Sequence, residues 1–237
     1  MNMMRLDKFL SNMNIASRSQ VKGILKAGRV RVNSKVEVKG DAKINPEKDC
    51  IEFDGVRVFY ELYRYFMLYK QQGCVSATKD RLSDTVLDIL KDENTDGLFP
   101  VGRLDKDTEG LLIITNDGKT AHELLSPAKH VDKKYLVHLD KLIDDAAIAQ
   151  IEAGIDIGDD KPCLPCEIEK IEDDKVFITI REGRFHQVKR MFAAVGFTVT
   201  YLKRISMGAV ALDENLKPGE YRRLTDEEVK SLTNKGE

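Results

Sequence analysis

The sequence predicts an α+β protein: a small αα-hairpin-strand module, then a larger domain with a mixed, largely antiparallel sheet flanked by helices. Three observations point there. The first 40 residues carry apolar stripes at i, i+3, i+4 spacing, followed by an alternating apolar and charged run. Leu111–Thr115 and Val176–Ile180 are apolar and β-branched runs, the pattern of buried strands. Strand and helix patterns then follow one another without the regular period of a parallel strand–helix–strand sheet. A chain of 237 residues has room for one small and one medium domain.

The elements follow in order. Leu6, Phe9 and Leu10 share one face of a short helix. Ser17 and Gln20 have the spacing of a capping box, and the helix they start places Val21, Ile24 and Leu25 together before Gly28 ends it. Val30 and Val32 alternate with Arg29 and Arg31, Asn33-Ser34 turns, and Val36 and Val38 return. This module is expected to span residues 1–53, with 54–62 as a linker and 63–237 as the second domain. There, Tyr65–Lys70 reads as a strand, and Ser83 as the cap of a helix carrying Val86, Leu87 and Leu90. Gly102 and Gly110 are turn points on either side of a polar loop that leads into the 111–115 strand. A helix near 120–125, a strand at Tyr135–Val137, an acidic stretch, the 176–180 strand and a helix from Gln187 to Val195 follow. Thr225 and Glu228 form a capping box for a last helix.

The apolar fraction of 42% and charged fraction of 33% fit a globular chain rather than a disordered one. No apolar run approaches the roughly 20 residues that span a bilayer, and the N-terminus lacks the apolar core of a signal peptide. A cytoplasmic protein without membrane contact is the expectation. Four cysteines are too few for a disulfide scaffold at this length, and Cys163-Leu-Pro-Cys166 lacks the further ligands that zinc requires, so the thiols read as incidental. No metal site is expected. Neither a phosphate-binding loop nor a dinucleotide fingerprint occurs, so no cofactor is expected either.

Charge is strongly segregated. Residues 1–40 hold nine Lys or Arg against two acids, and 181–204 six against one, whereas 140–175 hold twelve acids against four lysines. Two basic blocks in a chain of net charge −2 point to a polyanion touched in two places. In the first block the apolar positions hold the module together, which leaves Arg5, Lys8, Arg18, Lys22, Arg29 and Arg31 free to face a partner.

The stretch Gly102-Arg103-Leu104-Asp105-Lys106-Asp107-Thr108-Glu109-Gly110-Leu111-Leu112 carries the chemistry. A carboxylate beside a guanidinium on a loop pinned to a core strand can stay charged and fixed while partly dehydrated, which suits nucleophilic or base chemistry. Taken alone, the pair also fits a solvated surface ion pair. The longer run, through Thr115-Asn116-Asp117-Gly118, resembles the signature of the RNA pseudouridine synthases. That resemblance makes Asp105 the catalytic residue. Leu6-Asp7-Lys8-Phe9-Leu10, Ser17-Arg18-Ser19 and Gly28-Arg29-Val30-Arg31-Val32-Asn33 are similar to the alpha-L RNA-binding domain. Lys133-Lys134-Tyr135 and Gly183-Arg184-Phe185-His186-Gln187-Val188-Lys189-Arg190-Met191 look like two further family motifs.

From the resemblance follow the expected roles. Tyr135 stacks on the uracil, Lys133 is the motif lysine, Arg184 meets Asp105 and keeps it charged, and Arg103 helps hold the flipped nucleotide. His186, Gln187 and Lys189 line the RNA path. The family breaks the N-glycosidic bond of a uridine, turns the base and rejoins it through carbon, without a cofactor. Motif order places the chain nearest the branch that modifies 16S ribosomal RNA. Its expected partner is ribosomal RNA in a small-subunit assembly intermediate, and the protein is expected to act as a monomer. Alternatives are the sibling branch acting on 23S ribosomal RNA, a non-catalytic RNA-binding assembly factor, and a metal-dependent phosphotransferase using Asp105, Asp107 and Asp117. One departure stands out: Tyr69-Lys70-Gln71-Gln72-Gly73 has Gln71 where the family shows proline, so a looser loop is expected there.

Overall fold

The computed structural model describes residues 3–233. It comprises two compact units, Met1–Tyr63 with Leu90–Gly97, and Arg64–Ile89 with Leu98–Glu237.

The first unit contains β1 (Met4–Arg5), α1 (Leu6–Asn12), α2 (Arg18–Lys26), β2 (Val30–Val32), β3 (Lys35–Val36), β4 (Lys43–Ile44), β5 (Ile51–Phe53) and β6 (Val56–Val58). Leu6, Phe9 and Leu10 of α1 meet Val21 and Leu25 of α2, and the sheet adds Val30 and Ile51 to the same core. The Ser17 N–H donates to Gln20 Oε1 at 3.1 Å, closing one arm of the capping box. Gly28, at φ +68°, ends α2 in the left-handed conformation that its lack of a Cβ permits. The strands run in the order β3-β2-β5-β6, and β1 pairs with β4.

Residues 54–62, expected as a linker, contain β6, which pairs antiparallel with β5 in the register Ile51↔Val58 and Phe53↔Val56. The cause is local. Asp54 and Gly55 have φ of +50° and +81°, the two-residue turn that an Asp-Gly pair between apolar residues favours. The sheet therefore extends past Phe53.

The second unit contains β7 (Tyr65–Lys70), β8 (Phe99–Pro100), β9 (Glu109–Thr115), α3 (Gly118–Leu125), β10 (Lys133–Leu139), α4 (Asp145–Glu152), β11 (Glu167–Glu172), β12 (Lys175–Ile180), α5 (Gln187–Ala194), β13 (Val199–Met207), β14 (Val210–Ala211), β15 (Tyr221–Arg223) and α6 (Asp226–Thr233). Its sheet has the order β11-β12-β10-β13-β9-β7-β15, with β8 on β9 and β14 on β13. Among the described residues, β9 and β13 run parallel and the other strand pairs antiparallel. The mixed, largely antiparallel sheet flanked by helices is thus present.

The parallel join is tight. Gly110 pairs with Arg204, and a Cβ on Gly110 would collide with the Arg204 backbone. Its φ of +103° also suits glycine. Arg204 is buried beside it and donates Nε–H to the Leu111 carbonyl at 2.7 Å. Leu111, Ile113, Met67, Val101 and Met207 pack with Ala121 and Leu124 of α3 into one core.

One expected element of this unit is absent. Ser83 caps no helix: residues 86–89 form a turn in which the Thr85 N–H and hydroxyl both donate to Asp88 Oδ2, at 2.7 and 2.8 Å, while Val75 bridges Thr85. That side-chain bond offers the backbone an alternative to a helix, yet Val86, Leu87 and Leu90 are buried as their apolar character requires. The acidic stretch contains α4. Asp144 Oδ1 accepts the Ala147 N–H at 2.8 Å and caps α4.

Candidate active site

Asp105 sits on the loop between β8 and β9, and that loop is fixed by its backbone. The Leu104 N–H donates to Ser76 Oγ at 3.0 Å, and the same hydroxyl donates to the Leu104 carbonyl at 2.8 Å. Lys70, at the end of the wholly buried β7, donates Nζ–H to the carbonyls of Asp105 and Thr108, each at 2.9 Å, and of Gln71 at 3.1 Å. Burial pushes the Lys70 ammonium below its usual pKa range. With its main chain held this way, Asp105 presents a carboxylate whose side chain is 26% exposed.

The nitrogen groups at that carboxylate come from the start of α5. Lys189 Nζ lies 3.2 Å from Asp105 Oδ2, and His186 Nε2 lies 3.5 Å from Oδ1. Lys189 also donates to Asp107 Oδ1 at 2.6 Å, so one ammonium bridges two carboxylates. Burial works against that ammonium, but hydrogen bonds to Asp107 and Asp105 outweigh it and raise its pKa. The Asp107 carboxyl is held below its usual range, chiefly by the bond from Lys189.

Arg184 does not meet Asp105, contrary to the expectation from the motif. Its Nε–H donates to Glu182 Oε2 at 3.0 Å, and its Nη1 and Nη2 donate to the carbonyls of Lys161 and Pro162 at 2.6 and 2.8 Å. Glu182 is buried and requires a cation, and Arg184 is the neighbour that reaches it. Gln187 belongs to the same cluster and also lines the hollow beside Asp105. It accepts the Arg184 N–H at 3.0 Å and donates to Glu182 Oε1 at 2.6 Å, and it is buried. The chain reverses just after this cluster because His186 adopts φ +49°. That turn carries His186 and Lys189 to the carboxylate and leaves Arg184 to brace the 161–163 segment.

A cleft of about 840 Å³ opens beside the loop, with Arg103, Asp105, Lys133, Arg184, Phe185 and His186 in its walls. An adjoining hollow of about 70 Å³ shares Asp105 and reaches Tyr135. Tyr135 and Lys133 both project from β10 and both are buried. Lys133 donates to the Val131 carbonyl at 3.0 Å, and burial, with the Arg204 charge, lowers its pKa. Arg103 is exposed at the rim. Arg103, Asp105, Arg184 and His186 thus line both the cleft and the hollow, Lys133 the cleft, Tyr135 and Gln187 the hollow, and Lys189 reaches Asp105 from α5.

Asp117 has a different task. It caps α3, accepting the Tyr65 hydroxyl at 2.6 Å, the Thr120 hydroxyl at 2.7 Å and the Lys119 N–H at 3.0 Å. It is unsuited to the metal-dependent alternative that would have used it. In the first unit, Arg5, Lys8, Arg18, Lys22, Arg29 and Arg31 are exposed. Arg5 pairs with Asp7 at 2.6 Å, and Arg29 pairs with Asp54.

Lys70, Ser76 and Glu182 received no role from sequence. A lysine ending an otherwise apolar strand was the available signal for Lys70. Ser76 acts through its contact with Leu104, which no local pattern reveals, and for Glu182 it is the burial that the sequence does not announce.

Comparison with known proteins agrees with this geometry. The RNA pseudouridylate synthase family matches residues 64–194, and the S4 domain family matches residues 4–37. A Bacillus subtilis protein described as an uncharacterized RNA pseudouridine synthase is 45% identical, covering 97% of this chain and 98% of its own length. Ribosomal small subunit pseudouridine synthase A of Yersinia pestis is 44% identical, covering 97% and 98%. A crystal structure of a pseudouridylate synthase, 39% identical, superposes with a TM-score of 0.70 over 97% of this chain and 99% of that one. No helix among the described residues is long and apolar enough to cross a membrane. With a family match over more than half its length and near-full-length relatives, this chain belongs to the RNA pseudouridine synthases, isomerases here joined to an S4 domain.

Proposed function

We propose that the protein isomerises a specific uridine of 16S ribosomal RNA to pseudouridine, with Asp105 as the group that acts at the ribose. The observation that carries this reading is the Asp105 carboxylate at the mouth of a nucleotide-sized cleft, 3.2 Å from the Lys189 ammonium. A charged oxygen fixed by its backbone and flanked by a cation can attack C1′ or remove a ribose proton, and either step releases the uracil to turn. The Tyr135 ring supports the base during the turn, and Lys189 and His186 keep the carboxylate oriented. No metal or redox group is required for this chemistry. Arg103 engages a phosphate beside the extruded uridine and the exposed basic side chains of the S4 domain engage phosphates of the same RNA, which offsets the few kcal/mol that unstacking costs. The small-subunit preference rests on relatives named for that activity, and the substrate form we favour is an assembly intermediate bound by a monomeric enzyme.

Asp105→Asn is expected to abolish product while RNA binding stays near wild type. Turnover within tenfold of wild type, a barrier change of about 1.4 kcal/mol or less, would remove Asp105 from its central role. Mapping pseudouridine in 16S and 23S ribosomal RNA from cells with and without the protein tests the target. A missing modification confined to 23S RNA would move the enzyme to the sibling branch.

A further inference from the structure

The geometry points to a second base subsite: Phe185 and His186 form an aromatic shelf that stacks a nucleobase adjacent to the target uridine in the same RNA strand. This rests on the function proposed above and adds a contact that function does not require. Phe185 is 73% exposed, whereas Tyr135 is 7% exposed. Phe185 and His186 nevertheless lie face to face, with ring centroids 3.8 Å apart and planes 17° apart. Side chains of consecutive residues in extended or helical backbone diverge. These two align because His186 takes φ +49°, a conformation uncommon outside glycine.

The shelf is braced. The Phe185 carbonyl accepts from Arg190 Nη1 at 3.1 Å, and the Arg190 N–H donates to the His186 carbonyl at 3.0 Å. Beneath it, Gln187 ties the Arg184 N–H to the buried Glu182. Strain at one residue, and a large apolar ring held toward solvent, are retained where a ligand uses them.

The occupant follows from position and charge. Both rings stand in the wall of the cleft that holds Asp105, and His186 Nε2 is 3.5 Å from that carboxylate. Lys189 lies one turn into the same helix, and Arg103 shares the cleft wall. A flat ring flanked by cations matches the stacking platforms that hold single-stranded RNA bases irrespective of sequence. Tyr135, buried at the adjoining hollow, is the platform for the extruded uracil. Phe185, exposed at the rim, takes the neighbour that remains in the strand.

The chain contains no tryptophan, so Phe185→Trp installs a lone fluorophore at the shelf. In an Asp105→Asn background, 16S ribosomal RNA purified from cells lacking the protein should quench that fluorescence on binding. In otherwise wild-type enzyme, Phe185→Ala should raise KM for the same RNA about tenfold or more and change kcat by less than about threefold, and Phe185→Trp should restore KM. An unchanged KM in Phe185→Ala, or unaltered fluorescence while filter binding shows complex, would overturn the shelf even if the wild type makes pseudouridine. A wild type that makes none would overturn the proposed function instead, and the quenching would still report whether the shelf holds a base.

Discussion

Lys189 touches both Asp105 and Asp107, and the identity of that cation sets the strength of the site. Lys189→Met is expected to lower kcat by about 10² to 10³, as loss of a preorganised charge does, with a smaller change in KM. Lys189→Arg should retain most of the activity, and steady-state kinetics would show the difference. Arg184→Gln should behave otherwise. It removes the cation from buried Glu182, so destabilisation of roughly 1–3 kcal/mol in urea unfolding is expected, with kcat falling less than in Lys189→Met. The run Arg184 to Arg190 was legible as a basic cluster near the active loop. Which of its cations reaches Asp105 was not, because a single left-handed residue, His186, decides it, and nothing in the run announces that conformation.

At the level of elements, the junction of β9 and β13 adjoins the loop that holds Asp105. Gly110→Ala would add both backbone strain and a collision with Arg204, and a loss of about 3 kcal/mol or more is expected, seen as a lower Tm or insoluble protein. Gly110 was expected as a turn point but lies inside β9, paired with Lys70 and Arg204. The parallel pairing that makes it irreplaceable was not readable, since β13 lies about 90 residues further along the chain and carries the charged pair Lys203-Arg204, which disguises its apolar face. The cap of α3 offers a pH test. Burial raises the Asp117 carboxyl, but hydrogen bonds from Tyr65, Thr120 and two backbone N–H groups outweigh it, so its pKa lies below the usual value. Its contribution is therefore complete above the unfolded-state pKa and is lost as pH falls through the folded one. Asp117→Asn should cost about 1–3 kcal/mol at neutral pH. The gap from wild type, measured by urea unfolding, should narrow below about pH 4. A gap that stays constant on acidification would mean that the charge is not what stabilises the cap.

On the scale of the molecule, most of the architecture was readable because apolar spacing is a local signal. The expected strand at Tyr65–Lys70 matches β7, and the expected helix near 120–125 and strand at 176–180 lie within α3 and β12. The Asp54-Gly55 hairpin was overlooked although its two residues are a turn signal, because the charged side chains around it resemble a solvated connection. Binding should follow the segregated charge. Lys22→Glu with Arg31→Glu is expected to weaken RNA affinity and to flatten its dependence on salt by about 0.7 in log–log slope for each phosphate no longer neutralised. Filter binding at several salt concentrations measures this, and an unchanged slope would place the RNA elsewhere.

Residues 90–97 have a practical implication. Although they follow part of the catalytic chain, they pack in the first unit, where Asn94 Nδ2 donates to the Ser11 carbonyl at 2.5 Å and Asn14 Nδ2 to the Asp92 carbonyl at 2.8 Å. The backbone thus passes between the units near residues 63, 89 and 97. A protease nick at residue 63 would not liberate the S4 fragment, which would still be gripped by this returning flap. A shortened enzyme beginning at residue 64 would carry the flap without its bed, and expression of such a half calls for a compact replacement turn in its place.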